Sequence, residues 1–385
     1  MRYDIANVQI KDLLTPLSEA ASTLARLDER IAQSDVGAGW LERMHFMDAC
    51  ASLWLDGELV DLEDLVLHVA GHDIRAPTHE LGRARAMLVT RRRIATQPPG
   101  WALTRVGVHS LRGLRRGEAV QTDVSFDGND LGDPPGDDSG DDSGNRMGVW
   151  ADGAELPDPF VNEFAALDAA IARTNALLSG ARPPVAPPRR DKDPLVYDLD
   201  WDEEARLDDW LALLADLADL PPTLQAILAL DAWKMMQVLQ HMPWLGRLLS
   251  AALLRRAGLT TATHLAAFNL GLKTVSMERR RHRDRDIRLM ANVAGILAAA
   301  EIGLKEHSRL RLARQRLDQH LIGRRASSKL PMLADLVIAR PMVSARMVAE
   351  ELAITPQAAL RLIADLNLRE MTGRGSFRVW GIASP

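Results

Sequence analysis

The sequence predicts a mainly α-helical protein whose β-structure is confined to a short hairpin at the C-terminal end. Apolar residues recur at the three-and-four spacing of a helix face, as in Leu13, Leu17, Leu24 and Ile31. Cap and proline signals divide much of the remaining chain into further helical segments. Short apolar runs on either side of a glycine turn, which indicate strands, occur only near the C-terminus.

The composition favours a protein of several domains in a reducing compartment. At 385 residues the chain is too long for one ordinary core. The single cysteine, Cys50, has no partner for a disulfide. The opening residues lack a secretion signal, and no stretch approaches the roughly 20 apolar residues of a membrane span. We therefore expect a cytoplasmic location and no membrane partner.

Residues 1–116 are predicted to form an N-terminal helical domain. Its first helix contains Leu13 to Ile31, and a second helix is predicted from Gly39 to Leu55, where Asp56 and Gly57 end it. Shorter helices are predicted at Leu59–Val69 and Thr78–Arg91.

Residues 117–157 are predicted to be an acidic, flexible linker. Eight aspartates and no lysine or arginine lie between Asp123 and Asp142, and prolines, serines and glycines supply most of the remainder. Such a segment buries too little apolar surface to offset its conformational entropy. The aspartate spacing does not fit a calcium loop, so no metal site is expected here.

Residues 158–325 are predicted to form a helical core. The predicted helices are Asp202–Leu217, Pro222–Gln240, Pro243–Ala257, Thr261–Leu272, Asp286–Leu304 and Ser308–Leu321. The histidines at 264, 282, 307 and 320 show no metal-ligand spacing, so we expect no metal or cofactor and a solvated position for most of them.

The chain is acidic overall, with a formal net charge of -5, but its C-terminal third contains basic clusters. Seven basic residues lie between Lys273 and Arg288, and seven more between Lys305 and Arg325. Arg279, Arg280 and Arg281 are therefore candidate phosphate contacts. The alternative interpretation of these clusters is an ordinary solvated helix surface.

The order of elements in residues 326–385 is that of a winged helix-turn-helix. A first helix at Leu330–Ala339 is followed by a second that Ser344 caps. A third begins at Thr355-Pro356, an N-cap followed by proline at the first helical position. Two short strands around Gly373-Arg374-Gly375 then form the small β-wing.

The exposed start of the third helix would enter a DNA major groove. Thr355, Gln357, Ala358 and Arg361 are the residues expected there, with Gln357 and Arg361 as the base-reading candidates. Phosphate contacts are expected from the wing, through Arg369, Arg374 and Arg378. From residue 324 to the end, nine basic and five acidic residues give a formal charge of +4, which favours double-stranded DNA as partner. A small winged helix can instead serve as a protein-protein module.

Three segments of the body resemble Fic-family proteins, which transfer a nucleotide moiety to a protein hydroxyl. In Asp48–Glu58, Ser52 is followed four residues later by Asp56-Gly57, which is similar to the Ser and Glu-Gly of the family's inhibitory helix. His241–Leu249 leads into a helix, as the family's active-site motif does, and Leu265–Leu304 follows as further helices. The resemblance implies a Fic N-terminal-like domain at 1–116 and a Fic-like core at 158–325.

The sequence departs from the Fic motif at the residues that position phosphate. The metal-binding acid, the asparagine and one of the glycines are missing between His241 and Arg247. Nucleotidyl transfer depends on such positioning, so we expect no enzyme activity. His241, Arg247 and Asp56 are vestigial candidates: a general base, an anion ligand and an inhibitory acid. For His241 the alternative is a hydrogen-bonded core residue.

The chain also resembles uncharacterised bacterial proteins, often plasmid-borne, that end in a helix-turn-helix. The segments that carry this resemblance are Pro243–Leu249, Glu278–Arg281 and Arg369–Gly375. It brings no established activity.

These observations together predict a DNA-binding transcriptional regulator built on a catalytically inactive Fic-like scaffold. One winged helix reads too few bases to be selective alone, so a homodimer is expected. The alternatives are a Fic-type nucleotidyl (AMP) transferase, or a toxin/antitoxin-like protein that acts on a protein partner.

Overall fold

The computed structural model describes residues 3–5, 8–73, 76–113, 201–322, 329–372 and 378–382. Within these ranges the protein is mainly α-helical with one small sheet near the C-terminus, which confirms the predicted fold class. The predicted linker at 117–157 lies outside the described residues.

The described helices fall into three groups along the chain. The N-terminal group is α1 (Ile10–Ala32), α2 (Gly37–Asp56), α3 (Leu62–Val69), α4 (His79–Thr96), a 3-10 turn (Trp101–Leu103) and α5 (Arg105–Gly113). The central group is α6 (Glu203–Asp216), α7 (Pro222–Met236), α8 (Leu245–Arg256), α9 (Phe268–Lys273), α10 (Met277–Arg280) and α11 (Arg285–Leu321). The C-terminal group is β1 (Val343–Ser344), β2 (Arg369–Glu370) and β3 (Val379–Gly381) together with α12 (Leu330–Ala339), α13 (Ala345–Glu351) and α14 (Pro356–Asp365).

Helix α11 is the central support of the fold. It packs against α1 and α9. It also contacts α12, and α2 contacts α12 as well. The indole Nε1 of Trp40 donates to the carbonyl of Gly303, in the middle of α11, at 2.9 Å. A Cβ at Gly303 would overlap Leu27, so glycine permits α1 to approach α11 closely at this point.

Three of the helices predicted in this region were wrong in their bounds. The segments predicted as Asp286–Leu304 and Ser308–Leu321 form the one continuous helix α11, because the residues between them carry no strong helix breaker. The helix predicted at Thr261–Leu272 begins only at Phe268. Thr261 instead donates from its backbone N and its Oγ1 to Asp28, at 2.9 and 2.7 Å.

The prediction that most of the histidines named above are solvated was wrong for two of them. His264 is 3% exposed, and its Nδ1 lies 2.6 Å from Oδ1 of Asp28. His307 is 4% exposed, on the face of α11 turned toward α1. Both positions are determined by packing between elements far apart in sequence.

The length and composition of α11 would allow it to cross a membrane, which the sequence analysis did not anticipate. Half of the most apolar stretch of this helix is buried inside the protein. A core helix of a folded domain meets the same criteria, and the packing against α1 and α9 matches that description.

The sheet has the strand order β1-β3-β2, with both pairs antiparallel. In the register, Val343 lies opposite Trp380 on one side of β3, and Arg369 lies opposite Gly381 on the other. The sequence analysis expected strands only at the C-terminal end. It missed β1, whose two residues form a strand only because β3 pairs with them.

Candidate nucleic-acid interface

Helix α14 is the recognition helix of the winged helix-turn-helix. Thr355 is its N-cap, and the Oγ1 of this residue accepts a hydrogen bond from the amide of Ala358 at 3.2 Å. Pro356 occupies the first turn, where its missing amide hydrogen costs nothing. Ala359 and Ile363 are buried against the rest of the module, as the sequence predicts.

The turn before α14 is held by a lysine from the start of the module. Ala353 adopts a left-handed conformation with φ of 48°. The Nζ of Lys329 donates to the carbonyl oxygens of Leu352 at 2.5 Å and of Ala353 at 3.4 Å. These bonds satisfy carbonyls at the C-terminal end of α13 and thereby fix the direction in which α14 leaves the turn.

The outer face of α14 is open to solvent. Thr355, Gln357 and Arg361 are exposed, and Ala358 is half-buried. Leu360, on the same helix, is 44% exposed. The predicted base-reading residues are therefore available to a partner, since none of the described part of the body covers them.

The wing places further arginines beside this face. Arg369 is exposed at the start of β2. Arg378 is exposed next to β3, and one of its guanidinium nitrogens lies 3.7 Å from a carboxylate oxygen of Glu370. Arg374 lies outside the described residues.

The neighbouring helix α13 contributes little net positive charge. Arg346 pairs with Glu350 at 2.9 Å, and Arg340 pairs with Glu351 at 3.0 Å. In the part of the chain that the structure describes, Arg361 and Arg369 form no ion pair. Arg361 on α14 and Arg369 on the wing are thus exposed cations that could meet a phosphate backbone.

Arg43 of α2 fixes the winged helix to the body, and the sequence analysis missed it. Its guanidinium donates to the carbonyl oxygens of Ile338 (3.1 Å), Val337 (2.5 Å) and Pro341 (3.4 Å), at and just beyond the C-terminal end of α12. Burial lowers the pKa of Arg43 to about 10, so the group stays charged at neutral pH. A Cβ at Gly39 would overlap the carbonyl of Ile338, which shows how closely the two helices approach.

Other polar contacts join the module to the body. Nε2 of His72 lies 3.1 Å from Glu350, and Arg309 of α11 donates to the carbonyl of Ile382 at 3.0 Å. Arg314, also on α11, pairs with Asp335 on α12. The first helix of the module is therefore anchored while its recognition helix faces outward.

Arg280, one of the predicted phosphate contacts, is buried, whereas Arg279 and Arg281 are exposed. Arg280 is 9% exposed, its Nε donates to the carbonyl of Val275 at 2.9 Å, and its guanidinium lies 5.7 Å from the ring of Trp54. Burial lowers its pKa, as expected for a cation withdrawn from water.

The remaining arginines of this cluster are also far from the recognition helix. Arg279 and Arg281 precede the start of α11, whereas Arg309 and Arg314 contact the module near the other end of that helix. At the rise of an α-helix, the separation along α11 is about 40 Å. The structure therefore does not bring Arg279 and Arg281 together with α14.

The vestigial Fic candidates Arg247 and Asp56 form an ion pair in which Arg247 is buried and Asp56 is half-buried. The two guanidinium NH groups of Arg247 lie 3.0 and 3.1 Å from the carboxylate oxygens of Asp56. Its Nε donates to Oδ1 of Asn269 at 2.6 Å, and a terminal nitrogen donates to Oγ of Ser52 at 2.9 Å. Four of the five N–H groups of Arg247 donate within the protein, which leaves no pair of donors for an added anion.

His241 lies in the connection between α7 and α8, as the predicted helix bounds on either side of it imply. Its Nδ1 is 3.2 Å from a carboxylate oxygen of Glu203. Glu203 is 5% exposed and also accepts a hydrogen bond from Arg112 at 3.0 Å. This contact matches the description of His241 as a hydrogen-bonded structural residue.

Comparison with known proteins assigns the two parts of the chain separately. Residues 330–383 match the family described as HTH DNA binding domain. Residues 195–322 match the family described as Protein of unknown function (DUF1612). Fold and match together define a protein with a helical body and a C-terminal helix-turn-helix DNA-binding domain.

One relative extends the match to almost the whole chain. The chain is 54% identical over 386 aligned residues to the uncharacterized protein y4cF of Sinorhizobium fredii (strain NBRC 101917 / NGR234). The alignment covers 99% of this chain and 100% of that protein. The chain belongs to the family of y4cF, which confirms the predicted likeness to uncharacterised bacterial proteins with a C-terminal helix-turn-helix.

Proposed function

We propose that this protein is a transcriptional regulator that binds double-stranded DNA through α14 and the wing. The observation that carries the proposal is the exposure of Gln357 and Arg361 on a recognition helix whose module is anchored to the body. An exposed helix presented in this way fits a major groove, and arginine and glutamine are side chains that read base edges there. The match of this segment to an HTH DNA-binding family supports the same assignment.

We further propose that the body is a non-enzymatic, Fic-like scaffold that acts in the cytoplasm and joins two copies of the chain. Two copies would present two recognition helices to neighbouring half-sites, which one winged helix cannot do. The proposal that the body has no nucleotidyl transferase activity is supported by the contacts of Arg247 with Asp56 and of His241 with Glu203. A partner protein remains the alternative occupant of the winged-helix surface.

The test is selection of duplexes from a random library, followed by affinity measurement by fluorescence anisotropy on the enriched sequence. Replacing Arg361 with alanine should weaken binding about tenfold, since a base-reading arginine contributes roughly 1 to 3 kcal/mol. Arg85→Ala is the matched control, because Arg85 is an exposed arginine on α4. The proposal fails if no duplex is enriched even at low salt, or if both variants bind as the wild type does.

The wing is tested by salt dependence. Arg369→Ala should weaken binding to all sequences by a similar factor. It should also reduce the slope of log K against log salt by about 0.9 for each phosphate contact removed. An unchanged slope would show that Arg369 does not contact a phosphate. It would not affect the assignment of α14 as the recognition helix.

A further inference from the structure

A polar cleft lies between the C-terminal end of α1 and the middle of α11. Its volume is about 610 Å³, and its lining includes Arg30, Ser34, His307, Ser308 and Arg311. A volume of this size is within the usual range for a small-molecule site. The cleft is separate from the outer face of α14 and from the Arg247–Asp56 pair, because it shares no residue with either.

The two arginines of the cleft come from different helices. Arg30 belongs to α1 and Arg311 to α11, and both are exposed. Within the described ranges neither forms an ion pair, whereas Arg309 and Arg314 on the same helix α11 pair with carboxylates. Asp35 is the one acidic side chain in the lining, so positive charge exceeds negative charge there.

His307 lies in the wall of the cleft and is 4% exposed. Its Nε2 is buried and has no hydrogen-bond partner. Burial lowers the pKa of His307, the charges of Arg311 and Arg30 lower it further, and the charge of Asp35 raises it. A buried polar atom without a partner is costly.

We propose that this cleft binds a small molecule that carries a carboxylate or phosphate group. The two guanidinium groups bind the anion from opposite walls, since arginine pairs with either group through parallel hydrogen bonds. The hydroxyls of Ser34 and Ser308, in the same lining, donate to Asp35 at 3.5 Å and to the carbonyl of Leu304 at 3.0 Å, so the donors for the anion come from the two arginines. An anion placed between Arg30 and Arg311 also relieves the repulsion between two cations that the protein leaves unpaired.

Isothermal titration calorimetry of the full chain tests the site, with inorganic phosphate and succinate as separate probes at constant ionic strength. One of the two anions should give a saturable heat, and the identity of that anion tells whether the site prefers phosphate or carboxylate. Arg311→Gln and Arg30→Gln should each weaken the affinity at least tenfold. Arg316→Gln, an exposed arginine on α11 outside the lining, should leave the affinity unchanged.

The absence of saturable heat with either anion overturns the proposal, as does an affinity that Arg311→Gln leaves unchanged. A third outcome also overturns it. If Arg311→Gln weakens duplex binding and flattens its salt dependence while neither anion binds the wild type, Arg311 is a DNA phosphate contact. Both glutamine variants replace exposed side chains, so their circular dichroism should match that of the wild type.

Discussion

At the scale of single residues, the body depends on buried charges that are satisfied by one another. Arg247 pairs with Asp56 and donates to Asn269. Asn269 in turn donates to Asp48 at 2.8 Å, and Asp48 pairs with Arg91 at 2.8 Å. Removing one charged member of this hydrogen-bonded network leaves a charge without its partner, which costs far more stability than the pair contributes.

Asp56→Asn should therefore destabilise the protein by about 3 kcal/mol, because Arg247 would keep its charge and lose its counterion. The free energy of unfolding from urea titration measures the effect. The matched control is Asp318→Asn, since Asp318 is 51% exposed and pairs with Arg314 at 3.0 Å on the surface. The control should change stability by less than about 0.5 kcal/mol. Equal losses of unfolding free energy in the two variants would show that the Arg247–Asp56 pair stabilises the protein no more than a surface pair does.

At the scale of elements, the recognition helix depends on its N-cap. Thr355→Ala removes the side-chain acceptor for the amide of Ala358 and should cost about 1 kcal/mol of helix stability. Faster hydrogen exchange of the first-turn amides of α14 would report the loss directly.

Thr355→Ser retains the acceptor oxygen and is expected to behave as the wild type. Ser22→Ala, which removes an exposed hydroxyl from the middle of α1, serves as a control for the loss of a hydroxyl alone. Unchanged exchange in α14 of Thr355→Ala would show that contacts other than the cap hold the start of the helix.

Local sequence patterns predicted the helix caps but not strand β1 or the continuity of α11. The caps at Ser344 and Thr355 were predicted, and both side chains accept the expected backbone amides. Strand β1 was not predicted, because two residues carry no periodicity and owe their conformation to pairing with β3. The continuity of α11 was missed for a similar reason, since its middle is held by packing against α1 and Trp40.

At the scale of the whole molecule, buried histidines make stability depend on pH. Burial lowers the pKa of His45 well below its ordinary value, and the charges of Arg91 and Arg92 add to the effect. Its Nδ1 accepts a hydrogen bond from Nε of Arg91 at 3.1 Å, which requires the neutral imidazole. His307 has a lowered pKa through burial and neighbouring arginines.

The unfolded chain binds protons at these histidines near pH 6.5, whereas the folded protein does not. The stability that the folded protein gains by keeping these histidines neutral is therefore complete above that pH and is lost as the pH falls below it. The free energy of unfolding should decrease between about pH 7 and 5.5, by up to roughly 1.4 kcal/mol per pH unit for each histidine. Urea titrations across this range measure the slope.

His45→Asn offers a carbonyl oxygen to Arg91 without a titrating group, so the slope should be smaller in this variant. A stability that is constant or rises toward pH 5.5 would contradict the assignment. An identical slope in His45→Asn would show that other groups cause the pH dependence.

Local sequence patterns were enough to predict the amphipathic helices, the caps that begin α13 and α14, and the succession of elements that defines a winged helix-turn-helix. These features depend on residues within a few positions of one another. Tertiary structure decided which charged residues remain available. It buried Arg280, occupied Arg247 with Asp56, and used Arg43 to anchor α12 across 295 positions of sequence. Burial and pairing join segments distant in the chain, so no local pattern encodes them, and the free outer face of α14 is likewise a property of the assembled fold.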